Sequence, residues 1–165
     1  MIEQQLAPRV LPRGDGPTYR VVTDLVTFIA TGQDTGGAYS LFETRTQPGG
    51  GVPTHLQHQE HESFYVLEGS YRFELDGDSV VVNAGGYVMV PRGTPHSFHN
   101  AGDTDARMLV QTVPGGYHEH FFAEAGDAVV DAANPGEPAG PPDIERTVAA
   151  GARYGIEFQL PADEE

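Results

Sequence analysis

The chain has 165 residues, with 24 acidic against 9 basic side chains and a formal net charge of −15. This balance argues against nucleic acid or an anionic membrane as a partner, because phosphate groups select basic surfaces. The chain has no cysteine, so it has no disulfides and any metal must take nitrogen and oxygen ligands. The length suits one domain with a hydrophobic core, and we expect residues 1–165 to form a single domain.

The N-terminal segment lacks the apolar run of a secretion signal, and nowhere does the sequence approach 18 consecutive apolar residues. The absence of disulfides also agrees with a reducing compartment. We therefore expect a cytoplasmic protein that neither spans nor binds a membrane.

Glycine and proline interrupt the sequence at short intervals, which predicts many short strands joined by turns. The nine predicted strands are Tyr19–Ala30, Gly37–Thr46, Val52–His58, Glu62–Glu68, Ser70–Leu75, Ser79–Asn83, Tyr87–Val90, His96–Asn100 and Arg107–Val113. Strands spaced about ten residues apart are typical of an all-β sandwich or barrel. We place the barrel core at about residues 20–114.

The segment from about residue 115 to 160 is predicted to be helical or extended. A first helix is predicted over Tyr117–Ala125, where Gly126 ends it. Asp143 is a suitable N-cap for a second short helix over Ile144–Ala150. Residues 132–142 between the helices are too rich in proline and glycine for regular structure.

Two polar clusters carry the candidate chemistry. The second cluster contains Gly85, Pro91, Gly93, His96 and Asn100, and it matches every fixed position of the motif G-x5-P-x-G-x2-H-x3-N. The first contains His55, Glu62 and Gly69 at the spacing of the motif H-x-H-x4-E-x6-G, with Gln57 at its second histidine position. With these motifs the chain resembles the cupin superfamily, which implies a double-stranded β-helix (jelly-roll) barrel with a metal inside it.

Strand geometry supports this interpretation. Residues two apart in a strand face the same side, so positions 55 and 57 both point inward if either does. Histidine and glutamate are costly to bury without partners in an apolar barrel, and a divalent cation removes that cost. Imidazole and carboxylate suit Fe, Ni, Mn, Co or Zn. We predict one such ion bound by His55, Glu62 and His96.

Gln57 is the departure from the motif and leaves three alternatives. In the first, which we favour, Gln57 lines the site as a weak ligand or as a hydrogen-bond partner of a ligand. In the second, a β-bulge shifts the register and His58 turns inward instead. In the third, the loss of one imidazole has abolished metal binding.

Other side chains are assigned to the pocket, the core or the surface. Phe28, Phe42, Phe64, Phe98 and Met108 are expected to shape a pocket, although barrel core is the commoner role for such residues. We expect His61, His99 and Tyr65 to face away from the site. His118 and His120 are two apart on a predicted helix and do not share a face, so a second metal site there is not expected.

The flanking segments, residues 23–32 and Pro114–Tyr117 leading into Phe121 and Phe122, resemble bacterial single-domain cupins of the quercetin 2,3-dioxygenase type. The resemblance implies oxidative cleavage of a flavonol-like or other enol or aromatic molecule by dioxygen. Glu62 would then act both as a metal ligand and as the catalytic proton acceptor.

Two other functions remain open, namely a non-oxidative isomerase, cyclase or lyase and a small-ligand-binding protein without activity. The resemblance also implies a homodimer, in which the sequence before residue 30 adds a strand to a neighbouring barrel.

Overall fold

The computed structural model describes residues 6–161, which form twelve strands and two helices. The strands are β1 (Thr18–Val21), β2 (Asp24–Ala30), β3 (Ser40–Thr46), β4 (Gly51–Gln57), β5 (His61–Glu68), β6 (Ser70–Leu75), β7 (Asp78–Asn83), β8 (Tyr87–Val90), β9 (His96–Asn100), β10 (Ala106–Val113), β11 (Asp127–Val129) and β12 (Ile156–Phe158). The helices are α1 (His118–Ala125) and α2 (Ile144–Arg153).

The strands form two antiparallel sheets. The larger sheet has the order β11-β1-β2-β3-β10-β5-β8, and the smaller has the order β12-β4-β9-β6-β7. In β3 and β10 every second residue is buried, which is the pattern of strands with one face toward a core. The predicted all-β jelly-roll barrel with two short helices is confirmed.

An apolar core fills the space between the sheets. Its largest side chains are aromatic and come from both sheets, with Phe28, Phe42 and Phe64 on the larger and Tyr71 and Phe73 on the smaller. Phe64 and Phe73 pack edge to face across the core, with ring centroids 5.1 Å apart. This packing fixes the two sheets against each other and so fixes the strands that carry the polar clusters.

The predicted strand Tyr19–Ala30 is wrong as a single element. The chain reverses after β1, where Val22 has a positive φ of 54°, and Val21 pairs with Asp24 across the turn. No glycine or proline marks this turn, and a valine in the left-handed region is uncommon, so the sequence pattern does not reveal it. The hairpin places Asp24 at the start of a new strand.

The structure contains two strands, β11 and β12, that the sequence analysis did not predict. Each has three residues, which is too short for a clear alternation of apolar and polar side chains. β11 pairs with β1, and β12 pairs with β4. Tertiary contacts, rather than local sequence pattern, therefore define both strands.

Helix α2 begins at its predicted cap and continues beyond its predicted end. The Asp143 carboxylate accepts a hydrogen bond from the Arg146 amide at 2.9 Å, as expected of an N-cap. The helix runs through Gly151, where a Cβ would lie 2.7 Å from the Ile156 carbonyl oxygen. Gly151 therefore allows α2 to pack closely against β12.

The elements α1, α2 and β12 cover one mouth of the barrel, and we call them the C-terminal cap. They share a small apolar cluster with β1, made by Val21, Phe121, Ala125, Ala150 and Ile156. This cluster holds the cap against the barrel and is separate from the main core.

The segment before residue 30 pairs within its own chain. β1 pairs with β2 and β11, and β2 pairs with β3. The predicted donation of a strand from this segment to a neighbouring barrel is therefore not seen for residues 18–30, and the homodimer stays a prediction. Within residues 6–161, neither helix has the length or apolar character needed to cross a membrane.

Candidate metal centre

The three predicted ligands, His55, Glu62 and His96, converge inside the barrel. They come from β4, β5 and β9, all three are buried, and one potential ligand atom from each lies within 4.8 Å of the others. His55 and His96 are paired across the β4–β9 ladder, with ring centroids 4.4 Å apart. Glu62 approaches from the opposite sheet, and its Oε2 lies 3.0 Å from Nε2 of His96.

A tight turn directs His96 into the site. The turn contains Gly93 with a positive φ of 81°, and the Gly93 amide donates to the Gln57 carbonyl at 2.7 Å. The turn between β8 and β9 is thereby tied to the end of β4. Glycine is suited to this position because the conformation is strained for other residues.

Backbone carbonyls orient both imidazole rings. Nδ1 of His55 lies 2.9 Å from the Pro53 carbonyl oxygen, and Nδ1 of His96 lies 2.9 Å from the Thr94 carbonyl oxygen. A carbonyl can only accept, so Nδ1 carries the proton and Nε2 of each ring is left for another partner. This is the usual orientation of histidines that bind metals through Nε2.

The contact between His96 and Glu62 is satisfied either by an additional proton, which makes it a hydrogen bond, or by a metal ion. With Nδ1 protonated, a neutral His96 ring presents a lone pair at Nε2 to the carboxylate oxygen 3.0 Å away. Two acceptors at this distance repel each other unless a proton or a metal ion lies between them. The residues present therefore fit a divalent transition metal, and their nitrogen and oxygen donors match that class of ion.

The pKa values of His55 and Glu62 suit metal binding. Burial and the nearby His96 lower the pKa of His55 to about 4, so that ring is neutral near pH 7. Burial alone would raise the pKa of Glu62, but the hydrogen bond with His96 and the charges of the surrounding histidines outweigh it and lower the pKa to about 2. A neutral imidazole and an ionised carboxylate are the forms in which these groups bind a metal.

Gln57 lies in the site, and His58 does not. Gln57 is buried, and its Nε2 donates to Oε2 of Glu62 at 2.6 Å. His58 is exposed, and its Nε2 lies 2.8 Å from a carboxylate oxygen of Glu157 on β12. The β4–β9 ladder does have an irregularity, but it falls between Val52 and His55 and leaves residues 55 and 57 on the same face. The alternative that turns His58 inward is thus not what the structure shows.

A buried ion pair next to the site was not predicted. Nδ1 of His118 on α1 lies 2.6 Å from Oε2 of Glu60, and its Nε2 lies 3.7 Å from Oε1 of Glu62. Burial lowers the pKa of His118, but the charge and hydrogen bond of Glu60 and the charge of Glu62 raise it to about 9 overall. His118 is therefore positively charged near pH 7.

A sequence signal existed for Glu60 but not for His118. Glu60 precedes Glu62 by two residues, so alternation along an extended chain places both side chains on one face. The docking of α1 on the barrel, which brings His118 to Glu60, has no such local signal. His120 is exposed and stacks on Tyr154, so the two helical histidines do diverge as expected.

A cavity lies beside the metal site between the barrel and the C-terminal cap. Phe42, Phe64 and Phe98 line it, whereas Phe28 and Met108 are buried in the core and do not. The space that the centre of a water molecule can occupy is about 50 Å³. A cavity that holds benzene has about 150 Å³, so an aromatic ligand requires the cavity to expand.

The C-terminal cap forms the outer wall of this cavity. Phe121 and Phe122 come from α1, Thr147 from α2, and Phe158 from β12. The Phe158 ring lies next to His55, with centroids 5.6 Å apart. The cap therefore separates the metal site from bulk water.

The remaining predicted surface residues lie away from the cluster. His61 accepts a hydrogen bond from the Arg92 amide at 3.1 Å, and His99 is exposed on β9. Tyr65 is 46% exposed on the outer face of β5.

Comparison with known proteins identifies the domain. Residues 42–112 match the cupin domain family, and this span includes His55, Glu62 and His96. The chain contains a cupin domain. Solved cupin-like structures support the fold, since a predicted oxalate decarboxylase from Thermotoga maritima superposes with a TM-score of 0.58 at 22% identity, over 64% of this chain and 99% of that one.

Two curated proteins with different names are similar to this chain. Quercetin 2,3-dioxygenase from Bacillus subtilis is 27% identical over 157 residues, which are 95% of this chain and 46% of the relative. An oxalate-binding protein from Thermotoga maritima is 36% identical over 62 residues, which are 38% of this chain and 51% of the relative. The matched residues thus span about half of the length of each of these two relatives.

Proposed function

We propose that this cupin is a metal-dependent dioxygenase of the quercetin 2,3-dioxygenase type, acting on a small enol or aromatic molecule. The observation that carries the proposal is the convergence of His55, Glu62 and His96 beside a mostly apolar cavity that His55 and Glu62 line. The similarity to quercetin 2,3-dioxygenase over 95% of this chain supports it.

His55, Glu62 and His96 would hold the ion, which we take to be Fe, Ni, Mn, Co or Zn. Two imidazoles and one carboxylate leave coordination positions open, and an ion bound there supplies sites for an enol oxygen or for dioxygen. Gln57 would keep Glu62 in place, because its amide donates to the same carboxylate oxygen that faces His96.

Glu62 would also accept the proton of the substrate hydroxyl. The carboxylate is ionised near pH 7, and Oε1 is turned toward His118 rather than His96. Because its lowered pKa makes it a weak base, the transfer is favoured for an acidic enol hydroxyl. The positive charge of His118 favours negative charge on a group bound next to Glu62. The enolate form of a substrate is such a group.

The aromatic walls of the cavity would bind the apolar part of the substrate and exclude water. Because the cavity is smaller than one that holds benzene, a ring can enter only if the cavity expands, and outward movement of the C-terminal cap would provide the space. Closure of the cap over the substrate would then keep the reaction away from bulk water.

The proposal is tested with purified protein by metal analysis and by oxygen uptake on flavonols and smaller enols. His96→Ala should lower metal affinity by more than about 100-fold, since loss of a mere outer hydrogen-bond partner already costs 10–100-fold, and should abolish uptake. The matched control is His99→Ala on the same strand, whose exposed ring should be dispensable. The proposal fails if the wild-type protein holds no metal and His96→Ala changes neither property.

A second candidate is a small-ligand-binding protein without activity. Gln57 in place of an imidazole favours it, and so does the similarity to an oxalate-binding protein. Ligand binding without any product, unchanged after chelator treatment, would support this function. Turnover under strictly anaerobic conditions would point instead to a non-oxidative isomerase, cyclase or lyase.

A further inference from the structure

A buried carboxylate lies on the cavity wall outside the metal cluster. Asp24 opens β2, is 3% exposed, and lines the cavity. The Thr46 side chain forms a hydrogen bond with this carboxyl group. Among residues 6–161, however, its Oδ1 has no hydrogen-bond partner.

Sheet register separates Asp24 from the metal ligands. Asp24 on β2 pairs with Thr46, which lies at the end of β3. Glu62 on β5 pairs with Thr112 on β10, and Thr112 in turn pairs with Ser40 at the beginning of β3. The two carboxylates thus mark opposite ends of one strand. Because both line the same cavity, a ligand held at the metal site can extend toward Asp24 once the cavity has expanded around it.

The surroundings of Asp24 are apolar. Val21, Val22 and Val26 line the neighbouring wall of the cavity. A buried acceptor without a donor is unfavourable, and burial raises the pKa of this carboxyl to about 7 despite its hydrogen bond with Thr46. A ligand that brings a donor to Oδ1 relieves this unfavourable burial.

We propose that Asp24 determines the specificity of the cavity, with its Oδ1 accepting a hydrogen bond from a neutral hydroxyl on the apolar end of the bound ligand. The ligand class is therefore an aromatic molecule with a hydroxyl remote from its metal-binding atoms. A neutral donor is favoured over an ammonium group because, in this valine-lined wall, one ion pair with Asp24 does not offset the cost of desolvating both charges. The inference rests on the proposed function only in taking this cavity as the ligand site.

The test compares p-cresol with 4-methylanisole, its methyl ether, on chelator-treated protein under nitrogen. Their dissociation constants are measured by calorimetry or by ligand-observed NMR. The wild-type protein should bind p-cresol at least about ten-fold more tightly, as expected for a hydrogen bond to a carboxylate. Asp24→Leu, which keeps the size of the side chain without an acceptor, should abolish this preference.

Thr27→Val is the matched control, because Thr27 is on the same strand but does not line the cavity, and it should keep the preference. If Asp24→Leu fails to fold, Asp24→Asn replaces it and should reduce the preference by several-fold. The inference is overturned if neither compound binds, if the ether binds equally well, if the variant keeps the preference, or if benzylamine binds more tightly than p-cresol.

This experiment uses neither metal nor oxygen, so its result is independent of the proposed oxygenase activity. If p-cresol binds more tightly than its methyl ether but no oxygen is taken up, the proposed role of Asp24 stands and the proposed dioxygenase activity is refuted. If oxygen is taken up but the two compounds bind equally well, the dioxygenase proposal stands and the role of Asp24 is refuted.

Discussion

Gln57 occupies the position at which the cupin motif places a second histidine, and its amide donates a 2.6 Å hydrogen bond to Glu62. The amide holds the carboxylate oxygen that faces His96 and adds no charge of its own. Position 57 therefore sets how firmly the other three residues hold an ion.

Gln57→His should raise metal affinity by at least about ten-fold, because an inward imidazole adds a fourth strong ligand. Gln57→Leu should lower it by a similar factor, since Glu62 loses the donor that orients it. Competition with a fluorescent chelator measures both changes. His58→Gln, next to the site but exposed, is the control and should leave the affinity unchanged. An effect of His58→Gln as large as that of Gln57→Leu would contradict the assignment.

The raised pKa of Asp24 predicts how stability depends on pH. Its pKa rises from an ordinary 3.8 to about 7, so the folded protein binds the extra proton between these values. The stability that this protonated group gives to the folded protein is complete below pH 3.8 and is lost as the pH rises through 7. Asp24→Leu has no titrating group at this position, so it does not lose this stabilisation. The free energy of unfolding of Asp24→Leu minus that of the wild type should therefore increase by up to about 4 kcal/mol from pH 4 to pH 8.

Urea unfolding at several pH values measures this difference. Asp34→Asn, at an exposed carboxyl whose pKa is lowered by hydrogen bonds with Thr31, should not reproduce it. A stability difference between Asp24→Leu and wild type that stays constant with pH would rule out a buried, titrating Asp24.

At the scale of elements, the C-terminal cap depends on a polar anchor as well as on its apolar cluster. α1 carries His118 into the barrel, where it pairs with Glu60 and stacks on Phe42 with ring centroids 5.6 Å apart. Glu60 is itself 1% exposed, and its Oε1 has no hydrogen-bond partner within residues 6–161. The anchor is therefore sensitive to the loss of either partner.

His118→Ala should destabilise the protein by about 3–5 kcal/mol, because it leaves Glu60 as an unpaired buried charge. The double variant Glu60→Leu/His118→Phe should recover most of this loss, since it removes both charges and keeps the volume. The pKa of His118 is raised from its ordinary 6.5 to about 9. The stability that the His118–Glu60 pair gives to the folded protein is therefore complete below pH 6.5 and is lost as the pH rises through about 9.

A double-mutant cycle made of Glu60→Leu, His118→Phe and the double variant, with urea unfolding at pH 7 and pH 10, measures this coupling. The effect of His118→Ala should be smaller at the higher pH. If the changes in the free energy of unfolding of the two single variants add up to that of the double variant, α1 is held by its apolar contacts alone.

At the scale of the whole molecule, the charge of −15 bears on the predicted homodimer. Two such chains repel each other, and salt screens that repulsion. A dimer of twice 17.7 kDa is expected at physiological ionic strength, with dissociation favoured at low salt. Light scattering over a salt series measures the mass. A monomer at every salt concentration would refute the prediction.

The positions of most strands along the chain and the identity of the three candidate ligands could be predicted from the sequence. Strand alternation and turn-forming residues act over a few positions, and the resemblance to the cupin motifs implies that the His96 imidazole points inward. Asp24, His118 and Phe158 could not be predicted as cavity residues. Asp24 follows a turn at Val22 that no glycine marks, and the other two come from the C-terminal cap.

The sequence by itself thus determined a cupin barrel and a buried set of imidazole and carboxylate groups. Only the tertiary structure decided that Gln57 rather than His58 lies beside Glu62, that His118 completes an ion pair with Glu60, and that Asp24 lines the same cavity. The physical reason is range. Side-chain direction along a strand repeats every two residues, whereas the docking of the cap depends on contacts between residues as far apart as Glu60 and His118.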